Sequence, residues 1–279
     1  MNTTIRGRKL ALDLLAYLLL GLGAVVMIAP FLWMLSTAFK LPADQYSRSL
    51  LPDPPTLENF PKLWEALPIT QLLFNSFKIA TLTTIGQLLT CAMAGFVFAV
   101  VRFRFREPLF FALLATLMIP PQMSYIPNFI LFKWLGLIGT QAPLWLPAFW
   151  GGAFGTFLMR QYFLTIPLDL AEAARVDGAS LVQIFWQIYL PLAKPALAAL
   201  TIFTFLFSWN DLLGPLIYLP TDLDQTTITV GLALFQGQYS GKWTLMMAGA
   251  LISILPILLV FFFAQKQFIQ GIAMSGLKY

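Results

Sequence analysis

Runs of more than twenty residues without a charged side chain recur along this 279-residue chain, and no other feature limits its fold so strictly. The charge-free runs are Leu14–Phe39, Ile79–Val101, Pro108–Phe132, Trp134–Met159 and Trp243–Gln265, and a sixth, Pro195–Leu219, is interrupted only by Asp211. A helix covers about 30 Å of hydrocarbon with about 20 residues, so each run is long enough to span a bilayer. The runs are continuous rather than alternating, and an open sheet in lipid leaves its edge amides unsatisfied, so strands are excluded as spanning elements. The expectation is an all-α integral membrane protein with six transmembrane helices. Charged residues make up only 10% of the chain against 59% hydrophobic ones, whereas soluble domains carry roughly a quarter charged residues.

The 17 basic residues lie in small groups between these runs, a pattern that fits a membrane and not a nucleic acid. Arg6, Arg8 and Lys9 precede the first run, but its 26 residues exceed a signal-peptide core, so it is read as retained, with Leu14–Leu35 as its spanning part. With the N-terminus in the cytoplasm, eleven Lys and Arg fall on that side: Arg6, Arg8, Lys9, Arg102, Arg104, Arg106, Arg160, Arg175, Lys194, Lys266 and Lys278. Six fall on the other: Lys40, Arg48, Lys62, Lys78, Lys133 and Lys242. That asymmetry predicts both termini inside. Residues 1–13 then form a cytoplasmic N-terminus, 14–265 the membrane domain and 266–279 a cytoplasmic tail. Prolines 30, 120, 121, 127 and 256 lie within runs and predict kinks, while Gly151 and Gly155 form a small-xxx-small pair suited to close helix approach. The single cysteine, Cys91, lies in an apolar run and has no partner for an internal disulfide.

The longest cytoplasmic connection, 160–194, reads as helix, glycine turn, helix. Pro167 opens the first helix, Asp169 and Glu172 favour its early turns through the dipole, and Gly178 suits a left-handed stop. Ser180 caps the second with Gln183 at the capping-box position; Leu181, Ile184, Phe185 and Ile188 share one face, and Pro191 ends it. Such a segment at the membrane surface is expected to dock a partner.

Glu172-Ala173-Ala174, three residues, Gly178, nine residues, Ile188, one residue, Leu190-Pro191 resembles the EAA motif of ABC importer permeases at every fixed position. The resemblance extends to carbohydrate importers and is similar to the smaller permease of the maltose type. It runs through Ala29 to Met34 with Ser36 and Lys40, Asn75-Ser76 opening the second span, Met118-Ile119-Pro120 with Ile126-Pro127, Trp209-Asn210-Asp211 with Pro215-Leu216, Val230-Gly231-Leu232, and Gln265 with Gly271. The tail departs from relatives by ending Leu277-Lys278-Tyr279.

The resemblance implies a type I ABC importer transmembrane domain in a bacterial or archaeal cell membrane. Its Ala171–Pro191 loop would sit in a cleft of a separate cytosolic ATPase, with Glu172 as the charged contact, Ala173 and Ala174 as small residues allowing close approach, and Gly178 as the turn. Asp177, Ile188, Leu190 and Pro191 complete that coupling set. It also implies a second permease enclosing the pathway, paired ATPases, a sugar substrate and an extracytoplasmic solute-binding protein received by Leu41–Leu67 and Pro220–Lys242. No GxxxxGK[ST] loop occurs, so ATP and Mg are expected on the partner ATPases and no cofactor on this chain. With no histidine and one cysteine, a His/Cys metal site or a Ser-His triad is absent, and the chain is not expected to be an enzyme.

Candidate pathway residues are the polar groups inside spans: Asn75, Gln122, Asn128, Asn210 and Asp211, with Trp209 able to stack on a sugar ring or to anchor at the interface. Counting along the fifth run places Asp211 roughly 24 Å from Pro195, near the outer boundary, which favours an interfacial role. An ion-coupled secondary transporter is the alternative class. Asp211 is its only candidate carboxylate deep in a span, and no internal inverted repeat is apparent.

Overall fold

Prolines and glycines decide which apolar runs become straight helices. A computed structural model describes residues 2–219, 223–238 and 241–276, with side chains for 12–219, 223–237, 241–263 and 265. Among the described residues three helices are long and apolar enough to cross a membrane: Leu12–Ala38, Ile69–Val100 and Trp243–Phe263. The first is part of α1 (Asn2–Ala38), which continues through Pro30 without a break; a short α2 (Asn59–Ala66) precedes α3 (Ile69–Val100). The helix α3 begins at Ile69, not Ile79, so Asn75 and Ser76 lie inside it. Lys78 does not stop the helix, because its ammonium rests 5.8 Å from the Phe74 ring centre while the aliphatic stem follows the surface.

The third run is a bent pair. The helix α4 (Arg106–Ala115) ends in a 3-10 turn at Thr116–Met118, and α5 (Tyr125–Trp134) follows a second turn after Pro120 and Pro121, giving a 93° bend. Two successive prolines remove two amide donors, so the ladder cannot cross them. The fourth run, expected as one span over Trp134–Met159, is broken twice. Gly136 (φ +69°) and Gly139 (φ +85°) turn the chain after α5, and Gly151 (φ +92°) separates a short α6 (Ala142–Trp145) and its 3-10 extension from α7 (Ala153–Phe163). Gly151 therefore serves the break, not helix packing.

Next come α8 (Asp169–Val176), α9 (Leu181–Ile184), one π-helical turn at Phe185–Tyr189 and α10 (Leu190–Leu192). Pro191 lies within α10 instead of ending the helix, and the chain turns by 78° into α11 (Lys194–Trp209). The fifth run stops at Trp209; α12 (Leu213–Tyr218) restarts after Asn210, Asp211 and Leu212. The Pro220–Lys242 connection contains α13 (Ile228–Gln238), with 220–222 and 239–240 outside the described residues. The last helix, α14 (Trp243–Gly276), runs past Gln265 into the segment expected as a tail; Leu277-Lys278-Tyr279 lie outside the described residues.

The chain divides into two compact units, Met1–Leu67 with Leu234–Ile254, and Pro68–Ala233 with Leu255–Tyr279. In the first, α1 is exposed from Leu12 to Trp33 and buried only at its end. There the fully buried Asn59 amide donates to the Ala38 and Lys40 carbonyls, each at 2.8 Å, tying α2 to the end of α1. Lys40 itself is buried, its ammonium 4.5 Å from the Trp33 ring centre and 2.9 Å from the Ser47 carbonyl. Nearby, a hydrogen bond and ion pair from Lys62 hold the exposed Glu58 carboxyl below its ordinary pKa.

The second unit is organised around α3, which packs on α7 and α11. Helices approach closely at Gly95, where a Cβ would meet Met159 Cβ at 2.6 Å and the Arg160 amide nitrogen at 2.9 Å. At Gly155 it would meet Cys91 Sγ at 2.7 Å. Gly155 thus does the packing expected of the Gly151/Gly155 pair, but its partner across the interface is α3.

Candidate functional site

The Glu172–Pro191 segment is built from two local stop-and-start signals. Glycine at 178 has φ +86°; its amide donates to the Arg175 carbonyl at 3.0 Å, and the Ala179 amide reaches back to Ala174 at 2.9 Å. These two bonds form a Schellman termination of α8, a geometry that favours glycine because a Cβ is strained at this φ. One residue on, the Ser180 amide donates to Gln183 Oε1 at 2.8 Å and the Gln183 amide to Ser180 Oγ at 3.3 Å, the capping box expected for α9. The two short helices are therefore fixed by contacts no more than five residues apart.

One side of this segment is anchored to the ends of α3 and α7. Ala171, Ile184, Phe185 and Tyr189 are buried in a cluster with Phe96, Met159 and Phe163. Ring centres lie 5.1 Å apart for Phe96 and Tyr189, 5.3 Å for Phe96 and Phe185, and 5.6 Å for Phe163 and Tyr189. Burial pushes the Tyr189 phenol above its ordinary pKa, with the Arg175 charge opposing, so the ring stays neutral in this cluster. Tyr189, at the end of the π turn, lies in the core, with Ile188 and Leu190 half-buried and Pro191 exposed, while Leu181, at the start of α9, is exposed and lies outside the face expected for it.

The opposite side is open. Glu172, Ala173, Asp177 and Gly178 are exposed, and Ala174 is half-buried. Around them Val176 is 87% exposed and Trp186 49%, an apolar surface beside two carboxylates. A patch of this kind, on a segment whose other face is packed, is suited to a protein partner.

A second feature at this end was not visible in the sequence. Arg160, in the last turn of α7, donates through Nη2 to both Glu107 oxygens at 2.8 and 3.0 Å and through Nε to the Phe98 carbonyl at 3.1 Å. Its guanidinium also lies 4.1 Å from the Phe110 ring centre. One side chain thus joins the end of α3, the start of α4 and the helix that leads towards the Glu172–Pro191 segment. Only Glu107's position 53 residues away carries this contact, and no local pattern marks it. Glu107 is partly exposed, so the Arg160–Glu107 coupling in a double-mutant cycle of thermal unfolding should be about 1–2 kcal/mol. Coupling near zero would show the pair to be incidental.

The polar residues proposed for a pathway separate into two groups. Asn75 is 1% exposed and donates to the Asp224 and Thr226 carbonyls at 2.8 and 2.9 Å, and Ser76 Oγ accepts from the Ile228 amide at 2.8 Å. Both fix the entry to α13, and neither lines the two cavities described below. Trp209, at 1% exposed, stacks on Phe205 with centres 5.5 Å apart, and its carbonyl accepts from Thr229. It offers no free ring face to a sugar. Asn128 hydrogen-bonds to the Tyr218 side chain.

Gln122, Asn210 and Asp211 come together. With Tyr125, Phe203 and Phe207 they line a cavity of about 610 Å³. Asp211 Oδ1 accepts from the Gly214 amide at 3.1 Å and so starts α12, and a Cβ at Gly214 would collide with the same carboxylate. Phe203 and Phe207 also border a second cavity of about 650 Å³, with Thr83, Gln87 and Thr204 as its polar groups. Both cavities follow one face of α11.

Comparison with known proteins agrees with this architecture. Residues 92–273 match the family described as binding-protein-dependent transport system inner membrane component. The lactose transport system permease protein LacG of Rhizobium radiobacter is 34% identical over 97% of this chain and 98% of its own length. The sn-glycerol-3-phosphate transport system permease protein UgpE of Shigella flexneri is 31% identical, covering 95% and 97%. A chain in the crystal structure of a bacterial ABC transporter that imports the acidic polysaccharide alginate superposes with a TM-score of 0.79 at 25% identity, over 92% of this chain and 96% of that one. A further structure of a bacterial alginate ABC transporter, in complex with alginate pentasaccharide-bound periplasmic protein, shares the fold with a TM-score of 0.66 at 18% identity.

Proposed function

Because this chain belongs to the family of binding-protein-dependent transport system inner membrane components, and is thus a transport permease and not an enzyme, we propose that it forms part of the translocation pathway of an ATP-driven importer for a sugar or oligosaccharide. Lactose in one relative's name and alginate in a structural neighbour's support a carbohydrate substrate. Nothing in these relatives favours an ion-coupled carrier. The observation that carries the reading is the coupling segment: an exposed Glu172–Ala173–Gly178 surface, terminated by a Schellman turn and anchored by aromatic rings to α3 and α7.

In this reading both termini and the 160–194 segment face the cytoplasm. A pair of separate ATPase subunits binds ATP and Mg and receives Glu172, Ala173, Asp177 and Gly178 in a cleft. Their closure moves α8 and α9, and the aromatic cluster and Arg160 pass that movement to α3, α4 and α7. A second permease closes the pathway opposite α11, and a solute-binding protein delivers the sugar to the outer segments that include Leu41–Leu67. Gln122, Asn210 and Asp211 face the pathway, while Asn75, Asn128 and Trp209 hold its walls.

Vesicles carrying the assembled complex and its binding protein provide the test. Uptake should require ATP on the coupling-segment side and persist when ionophores collapse the ion gradients. Uptake that follows an imposed ion gradient without ATP would contradict the reading.

A further inference from the structure

Among the residues lining the two cavities on the Phe203–Phe207 face of α11, Asp211 is the only charged one, and neither of these two contains a lysine or arginine. The remaining polar groups are neutral: Gln122, Tyr125 and Asn210 around the carboxylate, and Thr83, Gln87 and Thr204 further along. From Leu200 to Trp209 the shared helix rises roughly 14 Å, long enough for more than one sugar ring. Phe203, Phe207 and Tyr125 offer apolar and aromatic surface to ring faces, and the amides and hydroxyls suit sugar hydroxyls.

The Asp211 carboxylate is held in place by its own fold. The Gly214 amide binds Oδ1, and the missing Cβ of Gly214 leaves room for the other oxygen. A negative charge fixed at the edge of a groove whose other lining residues are uncharged repels anions and accepts hydrogen bonds from hydroxyl or ammonium groups.

Building on the importer reading above, we propose that this groove binds uncharged or amino sugars and rejects phosphorylated and uronic-acid sugars, with Asp211 as the residue that makes the distinction. The charge that bars an anion is the same group that accepts a hydroxyl from a neutral sugar. A permease that passes anionic sugars by this route would need a cation or a neutral side chain at this place.

The test uses the full-length chain in membrane vesicles and needs neither ATP nor a partner, so its failure leaves the uptake test of the importer reading intact. Gln122→Cys places a thiol in the groove, and the one native thiol, Cys91, is fully buried and gives a low background. Modification by a trimethylammonium thiosulfonate is compared with modification by a sulfonate thiosulfonate, each normalised to its rate with a small free thiol. The cationic reagent should react about tenfold faster. Adding Asp211→Asn, which keeps an oxygen for the Gly214 amide, should bring the rates together. Maltotriose and the chitosan trisaccharide should slow the labelling of Gln122→Cys, and trigalacturonate should do so only in the Asp211→Asn background. Equal reagent rates with Asp211 present, protection by all three trisaccharides, or protection by none would each overturn the proposal.

Discussion

Gly178→Val should leave the chain inserted in the membrane yet cut ATP-driven uptake to roughly a tenth or less, because valine at a left-handed position costs about 1–2 kcal/mol and the turn has an easy escape. Nothing lies within 4 Å of a Cβ built at Gly178, so the penalty is one of backbone conformation and not of crowding. Relieving it means abandoning the Gly178–Arg175 and Ala179–Ala174 hydrogen bonds, and with them the angle between α8 and α9. The exposed docking surface is then redirected while its buried anchors, Ala171, Ile184 and Tyr189, keep their places. Gly178→Ala carries a smaller form of the same strain and should fall between. Glu172→Lys acts differently, reversing a charge on an exposed side chain without altering the fold, and should also abolish uptake and weaken ATPase binding. Co-purification of the ATPase and vesicle uptake check both, with the amount of inserted chain as the control. If both variants keep wild-type uptake and ATPase binding, the coupling role is wrong.

Gly95→Val should have the larger effect on folding. Its Cβ would enter the space of Met159 Cβ and the Arg160 backbone, and a backbone cannot rotate away as a side-chain tip can. The cost is put at about 3 kcal/mol, the upper end for an overpacked core, since α7 must move off α3 and take Arg160 away from Glu107 and Phe98. The expected outcome is a large fall in the yield of folded protein and in its thermal midpoint in detergent. Gly23→Val is the matched control, because nothing lies within 4 Å of that position, and it should change neither quantity. A Gly95→Val chain as stable as the parent would mean that α3 and α7 are not packed as closely as described.

These two glycines show where sequence reading succeeds and where it stops. Gly178 was recognisable because its partners, Arg175, Ala174 and Ala179, are its neighbours, and the Ser180–Gln183 box is equally local. Local grammar wrote the Glu172–Pro191 segment apart from its π turn and its buried face, which carries Tyr189 and leaves Leu181 exposed. Gly95 gave no signal, since its role depends on α7 crossing it some 60 residues later. The same holds for Arg160 with Glu107, and for Asn75, whose partners at 224 and 226 are about 150 residues away. Uncharged runs identified the membrane protein, but run length alone did not mark the breaks. Pro120–Pro121 was legible as a kink, whereas Gly136, Gly139 and Gly151 matter through positive φ values that composition does not reveal. Of the polar residues, Gln122, Asn210 and Asp211 converge because two bends bring α5 and the end of α11 to one cavity, a result of tertiary geometry.

The surface around Glu172 and Gly178 is expected to dock a cytosolic ATPase, and site-directed cross-linking can decide whether it does. Val176, 87% exposed at the end of α8, is replaced by a photo-reactive residue in the full complex in native membranes. The expected result is a covalent adduct with a nucleotide-binding ATPase subunit whose yield changes when ATP is added, and no reaction of a cysteine at the same position with an impermeant reagent applied outside intact cells. A cysteine there that labels readily from outside, with no ATPase adduct formed, would contradict it.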